Sequence, residues 1–149
     1  MIRMKYLITV LFVANASFSY AADTTPSSSG PAWLTEAQKE IKEKNYDGAV
    51  KTLLVANEPN SADWNNLLGF AQRKKSPPDL NAAERYYQAA LKIDPKHKGA
   101  LEYYGELLLM KNNLPGAEQM LARLDKVCFF SCEEYRDLKE EIAKYKAKN

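Results

Sequence analysis

Residues 64–69 read Trp-Asn-Asn-Leu-Leu-Gly, and residues 83–95 read Ala-Glu-Arg-Tyr-Tyr-Gln-Ala-Ala-Leu-Lys-Ile-Asp-Pro. In the second run Ala83, Tyr87 and Ala90 follow one another at steps of four and three. Such steps put all three on one helical face. In the first run Trp64, Leu67, Leu68 and Ala71 form a comparable stripe. Ser76-Pro77-Pro78-Asp79 separates the two, as breakers separate the arms of a helical hairpin. Moving outward, the pattern recurs every 34 residues. Ala49, Ala83 and Ala117 share this spacing, as do Leu53, Tyr87 and Leu121, and Ala56, Ala90 and Leu124. Each of these helices has a partner ahead of it, lined by Trp33, Ala37 and Ile41 in the first unit and by Leu101, Tyr104, Gly105 and Leu108 in the third. Gly69 and Gly105 lie inside helical patterns, where glycine costs about 1 kcal/mol against alanine. They are expected where a neighbouring helix approaches closely. Pro31 suits a first helical turn, and Pro59 and Pro95 are expected to end second helices.

Beyond the third unit, Ser131-Cys132-Glu133-Glu134 reads as a capping box opening a last helix. Its apolar residues are Tyr135, Leu138, Ile142 and Tyr145, a narrow stripe with charged residues around it. A stack of repeats needs such a polar-backed end. The expectation is all-α: seven helices, no strands, and a short right-handed α-solenoid.

The registered 34-residue units resemble the tetratricopeptide repeat family, whose unit is a helix-turn-helix. The middle unit carries the resemblance best, through Trp64, Leu68 and Gly69 and then Ala83, Tyr87, Ala90 and Pro95. On this reading residues 31–149 form the repeat domain. Its units span about 31–60, 61–95 and 98–127, and its capping helix about 132–146. The resemblance implies a right-handed superhelix and a protein- or peptide-binding module. The first helix of each unit would line a concave groove. Placed on that pattern, the groove takes Gln38, Ile41 and Lys42 from the first unit, Asn66, Phe70, Arg73 and Lys74 from the second, and Glu102, Glu106, Leu109 and Met110 from the third. Phe70 lies off the apolar stripe and is expected as an exposed anchor. The groove would be basic in its middle and acidic toward its end. The family's clamp for a C-terminal carboxylate uses Lys and Asn in the first two units. Leu34 and Gln38 stand at the first pair of positions, so that ligand class is not expected.

The start of the chain reads as an address. Met1 to Lys5 carry a basic end, Tyr6 to Ala14 a short apolar core, and Ser19-Tyr20-Ala21 a cleavage site. The apolar core is shorter than the roughly 20 residues of a membrane span. Residues 1–21 are therefore expected to be a signal peptide and residues 22–30 a flexible linker. The mature chain would be periplasmic or secreted, with no membrane span. The whole chain carries 21 Lys plus Arg against 19 Asp plus Glu, and Arg3 and Lys5 are the only charges in the first twenty-two residues. The mature chain is thus formally neutral, and a neutral domain has no electrostatic case for binding nucleic acid.

No Gly-rich phosphate loop, His-Glu-x-x-His helix or Gly-x-Ser-x-Gly elbow is present, and there is one histidine. Neither an enzyme nor a cofactor is expected. Cys128 and Cys132 are an even pair, which in an oxidising compartment favours a disulfide. A sharper alternative is a copper or thiol-redox accessory protein, with Cys128, Cys132 and His97 as ligands, because soft thiolates suit Cu(I). A third reading is a self-associating scaffold, a homo-oligomer formed through the groove or the uncovered face of the first unit. Of the adjacent pairs Tyr86-Tyr87 and Tyr103-Tyr104, one tyrosine each is expected in the core.

Overall fold

A computed structural model describes residues 30–148; the expected signal peptide, and all of the expected linker but Gly30, lie outside them. The described residues form seven helices and no strand: α1 Ala32–Lys42, α2 Tyr46–Ala56, α3 Ala62–Lys74, α4 Leu80–Ile93, α5 Lys98–Met110, α6 Leu114–Val127 and α7 Glu133–Lys148.

Side chains that satisfy the free N–H groups at helix starts set the boundaries. Asn45 accepts from the Gly48 N–H at 3.2 Å, Ser61 from Trp64 at 3.2 Å, Asp79 from Ala82 at 2.8 Å and Asn113 from Gly116 at 3.0 Å. His97 does the same for α5 with Nδ1, 3.0 Å from the Ala100 nitrogen. Pro31 sits one residue ahead of α1, at its cap position, and not within the first turn. α2 ends at Asn57, which takes a left-handed conformation and returns its N–H to Leu53 at 3.1 Å; Pro59 lies two residues further on. α7 begins at Glu133, so the residue ahead of it is Cys132. Phe130 and Ser131 both have positive φ, which turns the chain sharply and takes Ser131 out of the expected capping role. That turn brings the Cys128 and Cys132 sulfurs to bonding distance, 1.93 Å.

The helices pair as α1 with α2, α3 with α4 and α5 with α6, and each hairpin stacks on the next. The odd helices also touch one another, α1 with α3, α3 with α5 and α5 with α7, so they share one side of the stack. Of the 34-residue pattern, Ala49, Leu53, Ala83, Tyr87, Ala90, Ala117 and Leu124 are buried, and Ala56 and Leu121 half-buried. This is the α-solenoid expected from the repeats. The Trp64 indole donates to the Leu53 carbonyl at 2.6 Å and ties the first hairpin to the second. Tyr104 donates to Glu84 at 3.1 Å and receives from Gln88 at 3.0 Å, joining the second to the third. α7 seals the end with Leu138 and Ile142, both buried in the cluster that holds Leu101, Leu108 and Leu124.

The two glycines sit where a side chain of another helix presses on the helical backbone. A Cβ at Gly69 would lie 2.7 Å from the ring of Tyr87 on α4, and one at Gly105 would lie 2.5 Å from Leu138 on α7. Gly69→Ala gains about 1 kcal/mol of helix propensity, but it must displace a fully buried ring, and overpacking costs about 1–3 kcal/mol. Urea denaturation should therefore show Gly69→Ala less stable than the wild type by about 1 kcal/mol.

Candidate functional site

The side shared by α3, α5 and α7 holds a cleft of about 450 Å³. Arg73 and Lys74 line it from α3; Glu106, Leu109 and Met110 from α5; and Glu141, Lys144, Tyr145 and Lys148 from α7. Five of the residues that the repeat pattern assigned to a groove thus come together here. The other six do not line the cleft. Gln38 and Lys42 are exposed and Ile41 half-buried on α1, away from it. Asn66 is buried against the start of α5, where a Cβ at Gly99 would come within 3.1 Å of its Nδ2.

Phe70 is not an exposed anchor. It is half-buried in an aromatic row, its ring centroid 4.8 Å from that of Tyr103 and 6.2 Å from that of Tyr46. Two cations lie against this row. The Arg73 guanidinium stands 5.5 Å from the Phe70 centroid and 5.7 Å from that of Tyr103, and the Lys74 ammonium stands 5.8 Å from Phe70. Cations over desolvated rings contribute about 2 kcal/mol. Phe70 therefore supports the basic side chains of the cleft from beneath.

Arg73 is only 6% exposed and pairs with Glu106 through Nη1 at 2.5 Å. Its Nε and Nη2 make no hydrogen bond of normal geometry, although the Tyr87 hydroxyl is close enough to feel the charge. The expectation of a basic middle and an acidic end changes accordingly. Glu106 is spent on Arg73, Glu102 is buried, and α7 adds Lys144 and Lys148 to the far wall. The lining therefore holds four cations against two carboxylates. The sequence reading missed the α7 wall because it treated that helix only as a seal. A register signal was present: Glu141, Tyr145 and Lys148 recur at steps of four and three beside the Leu138/Ile142 stripe.

The remaining expected residues fall elsewhere. The structure does not bring His97 and the cysteines together as ligands. His97 Nδ1 caps α5, its Nε2 faces Asp63 at 3.1 Å, and the two sulfurs face each other. Among the described residues, no group of three His, Cys, Asp or Glu is placed to hold a metal ion. Tyr87 is fully buried and Tyr86 half-buried, while Tyr103 and Tyr104 are both half-buried. The loop between the cysteines presents Phe129 and Phe130 at 91% and 94% exposure, outside the cleft. A second apolar hollow, lined by Trp33, Val55 and Ala56 among others, lies on the outer side of the first hairpin. No described helix is long and apolar enough to cross a membrane.

Burial raises the Glu102 carboxyl to about 8, with the negative charges of Glu106, Asp137 and Glu134 adding to the effect and Arg73 opposing it. The folded state therefore holds a proton that the unfolded chain releases near pH 4.5. The stability this confers is full below about pH 4.5 and is lost as pH rises toward 8. Glu102→Gln should be more stable than the wild type above pH 8, by about 2 kcal/mol once the full linkage value is discounted for solvent screening of this carboxyl. The gap should narrow to nothing near pH 4.5 in denaturation curves taken across this range.

Residues 79–142, from the start of α4 into α7, match a family model described as tetratricopeptide repeat. Among curated proteins none matches the chain. Among solved structures, the type III secretion translocator chaperone SycD of Yersinia enterocolitica superposes with a TM-score of 0.66 at 18% identity, over 78% of this chain and 82% of that one. The same chaperone in complex with a peptide of the translocator YopD gives 0.63 at 17% identity, over 78% of this chain and 91% of that one. At such identities the likeness is one of fold. Three stacked hairpins at a 34-residue interval, the lid over their end and the tetratricopeptide repeat model matched by residues 79–142 agree on a tetratricopeptide-repeat-like α-solenoid.

Proposed function

We propose that this chain is an exported, non-enzymatic adaptor that holds a segment of another protein against α3, α5 and α7. The observation that carries the proposal is the cleft. It is open, partly apolar through Leu109, Met110 and Tyr145, and bordered by charged groups set on rigid helices. Such a surface suits recognition of an extended or helical segment through a few anchors. SycD, similar in fold, has been captured with a peptide of its translocator, which supports a peptide as the kind of ligand. Export rests on the basic end, short apolar core and small-residue cleavage site of residues 1–21. A disulfide between Cys128 and Cys132 is in keeping with an oxidising compartment.

One observation favours the alternative of a self-associating scaffold: Leu54 and Val55 are 51% and 79% exposed beside the hollow near Trp33. A photo-crosslinking amino acid separates the two readings. Placed at Met110, which is half exposed in the cleft, it should capture a protein other than this chain, while the same group at Val55 should capture none. Crosslinks to a second copy from Val55, with nothing from Met110, would replace the adaptor by the scaffold. Expressed in a bacterial host with residues 1–21 intact, the purified mature chain should begin at Ala22 on N-terminal sequencing. A chain retaining Met1 and found in the cytoplasmic fraction would remove export.

A further inference from the structure

The charges lining the cleft bear on what it would take, and this inference rests on the reading of the cleft as a peptide site. Arg73 is the observation that requires explanation. A buried guanidinium is expected to use its donors, because leaving them unpaired in a low-dielectric surrounding costs free energy. Glu106 takes one end of the fork at 2.5 Å. Nε and Nη2 are themselves buried, with the buried Tyr87 hydroxyl close by, so they are closed to a ligand and Arg73 bears on the cleft as a fixed positive charge. The guanidinium is held in place by packing against Phe70 and Tyr103, so a ligand need not order it. Two further cations stand at the rim. Lys74 lies over Phe70 on one side, and Lys148 lines the opposite wall on α7. Neither makes an ion pair among the described residues. By contrast Lys144, on the same wall, is taken by Glu140 at 2.8 Å and Glu141 at 2.9 Å. Leu109 and Met110 provide an apolar strip beside these groups.

We infer that the cleft between α3, α5 and α7 selects an acidic segment of the partner protein. An Asp or Glu side chain would stand between the Lys74 and Lys148 ammonium groups, near the fixed positive charge of Arg73, with a neighbouring apolar residue against Leu109 and Met110. A carboxylate offers two acceptor oxygens and a full negative charge to two ammonium groups at once, which a neutral amide cannot match. The site lies between the second unit, the third unit and the cap, away from α1. It takes a side-chain carboxylate within a segment and does not depend on a chain end.

The test uses the mature disulfide-bonded chain and two pools of fluorescein-labelled 12-residue peptides with amidated C-termini. Both pools are randomised around a central apolar position; one has Glu and Asp fixed beside it and the other has Gln and Asn. Fluorescence anisotropy at 50 mM salt should show the acidic pool binding at least tenfold more tightly. The preference should shrink to within twofold at 500 mM salt, as screening demands. It should reverse or vanish in Lys74→Glu/Lys148→Glu, a variant of two exposed residues whose circular dichroism and melting should match the wild type. Equal binding of both pools would overturn the acidic preference and leave the peptide-binding reading standing. Binding of neither pool would overturn both. A preference for the acidic pool that the double variant keeps would overturn the assignment to this cleft. Acidic-pool peptides made with a free C-terminal carboxylate should bind no more than twofold better than the amidated ones; a larger gain would replace the side-chain assignment by a chain-end one.

Discussion

Helices in this molecule meet across residues that have almost no side chain. Ala49, Ala83 and Ala117 are completely buried at a fixed spacing, and Gly69 and Gly105 let Tyr87 and Leu138 lie directly on helical backbone. Close approach is what allows one large residue per helix to fill the space between hairpins. Without it the stack would open, and each hairpin would expose an apolar stripe it cannot cover alone. Everything on the odd-helix side inherits its spacing from these contacts. The 4.8 Å approach of Phe70 to Tyr103 and the Arg73–Glu106 pair both need α3 and α5 at this separation.

On that base the molecule places charge where it is expensive. Arg73 and Glu102 are both buried, and only the arginine has a close counter-ion. Removing one member of a buried pair costs about 3–5 kcal/mol, whereas a well-packed apolar replacement of both is often neutral. Stability alone therefore gives little reason for an ion pair at this position. The proposed recognition role would give one, because a fixed charge at the edge of an apolar strip orients whatever binds. Glu102 is held largely protonated by its burial and by Glu106, Asp137 and Glu134, which keeps one more negative charge away from the same region.

Most of the architecture was legible in the sequence because it follows from periodicity. The 34-residue interval located the hairpins, and the cap's stripe at Leu138 and Ile142 turned out to be its buried face. Boundaries were less legible where a single backbone conformation decided them. Asn57 in the left-handed region ends α2 before the proline is reached, and the turn at Phe130 and Ser131 moves the start of α7 by a residue. The groove was half legible. Face assignment set Arg73, Lys74, Glu106, Leu109 and Met110 on one side, where they line one cleft, but it could not see contacts between units. Phe70 was misjudged because its ring is covered by Tyr46 and Tyr103, which are 24 residues before it and 33 after it. The contribution of α7 was hidden for the same reason: a terminal helix carries no repeat pattern to register it against the others.

α7 has two duties, since its apolar stripe closes the core while Glu141, Lys144, Tyr145 and Lys148 form one bank of the cleft. The array is therefore not freely extensible. A hairpin added after α6 would displace the lid and dismantle the cleft with it. One duplicated ahead of α5 would lengthen the molecule and leave that bank intact. Engineered variation in the number of units is thus directed toward the amino-terminal side of the cleft, with the carboxyl-terminal third kept as a fixed head to which units are appended.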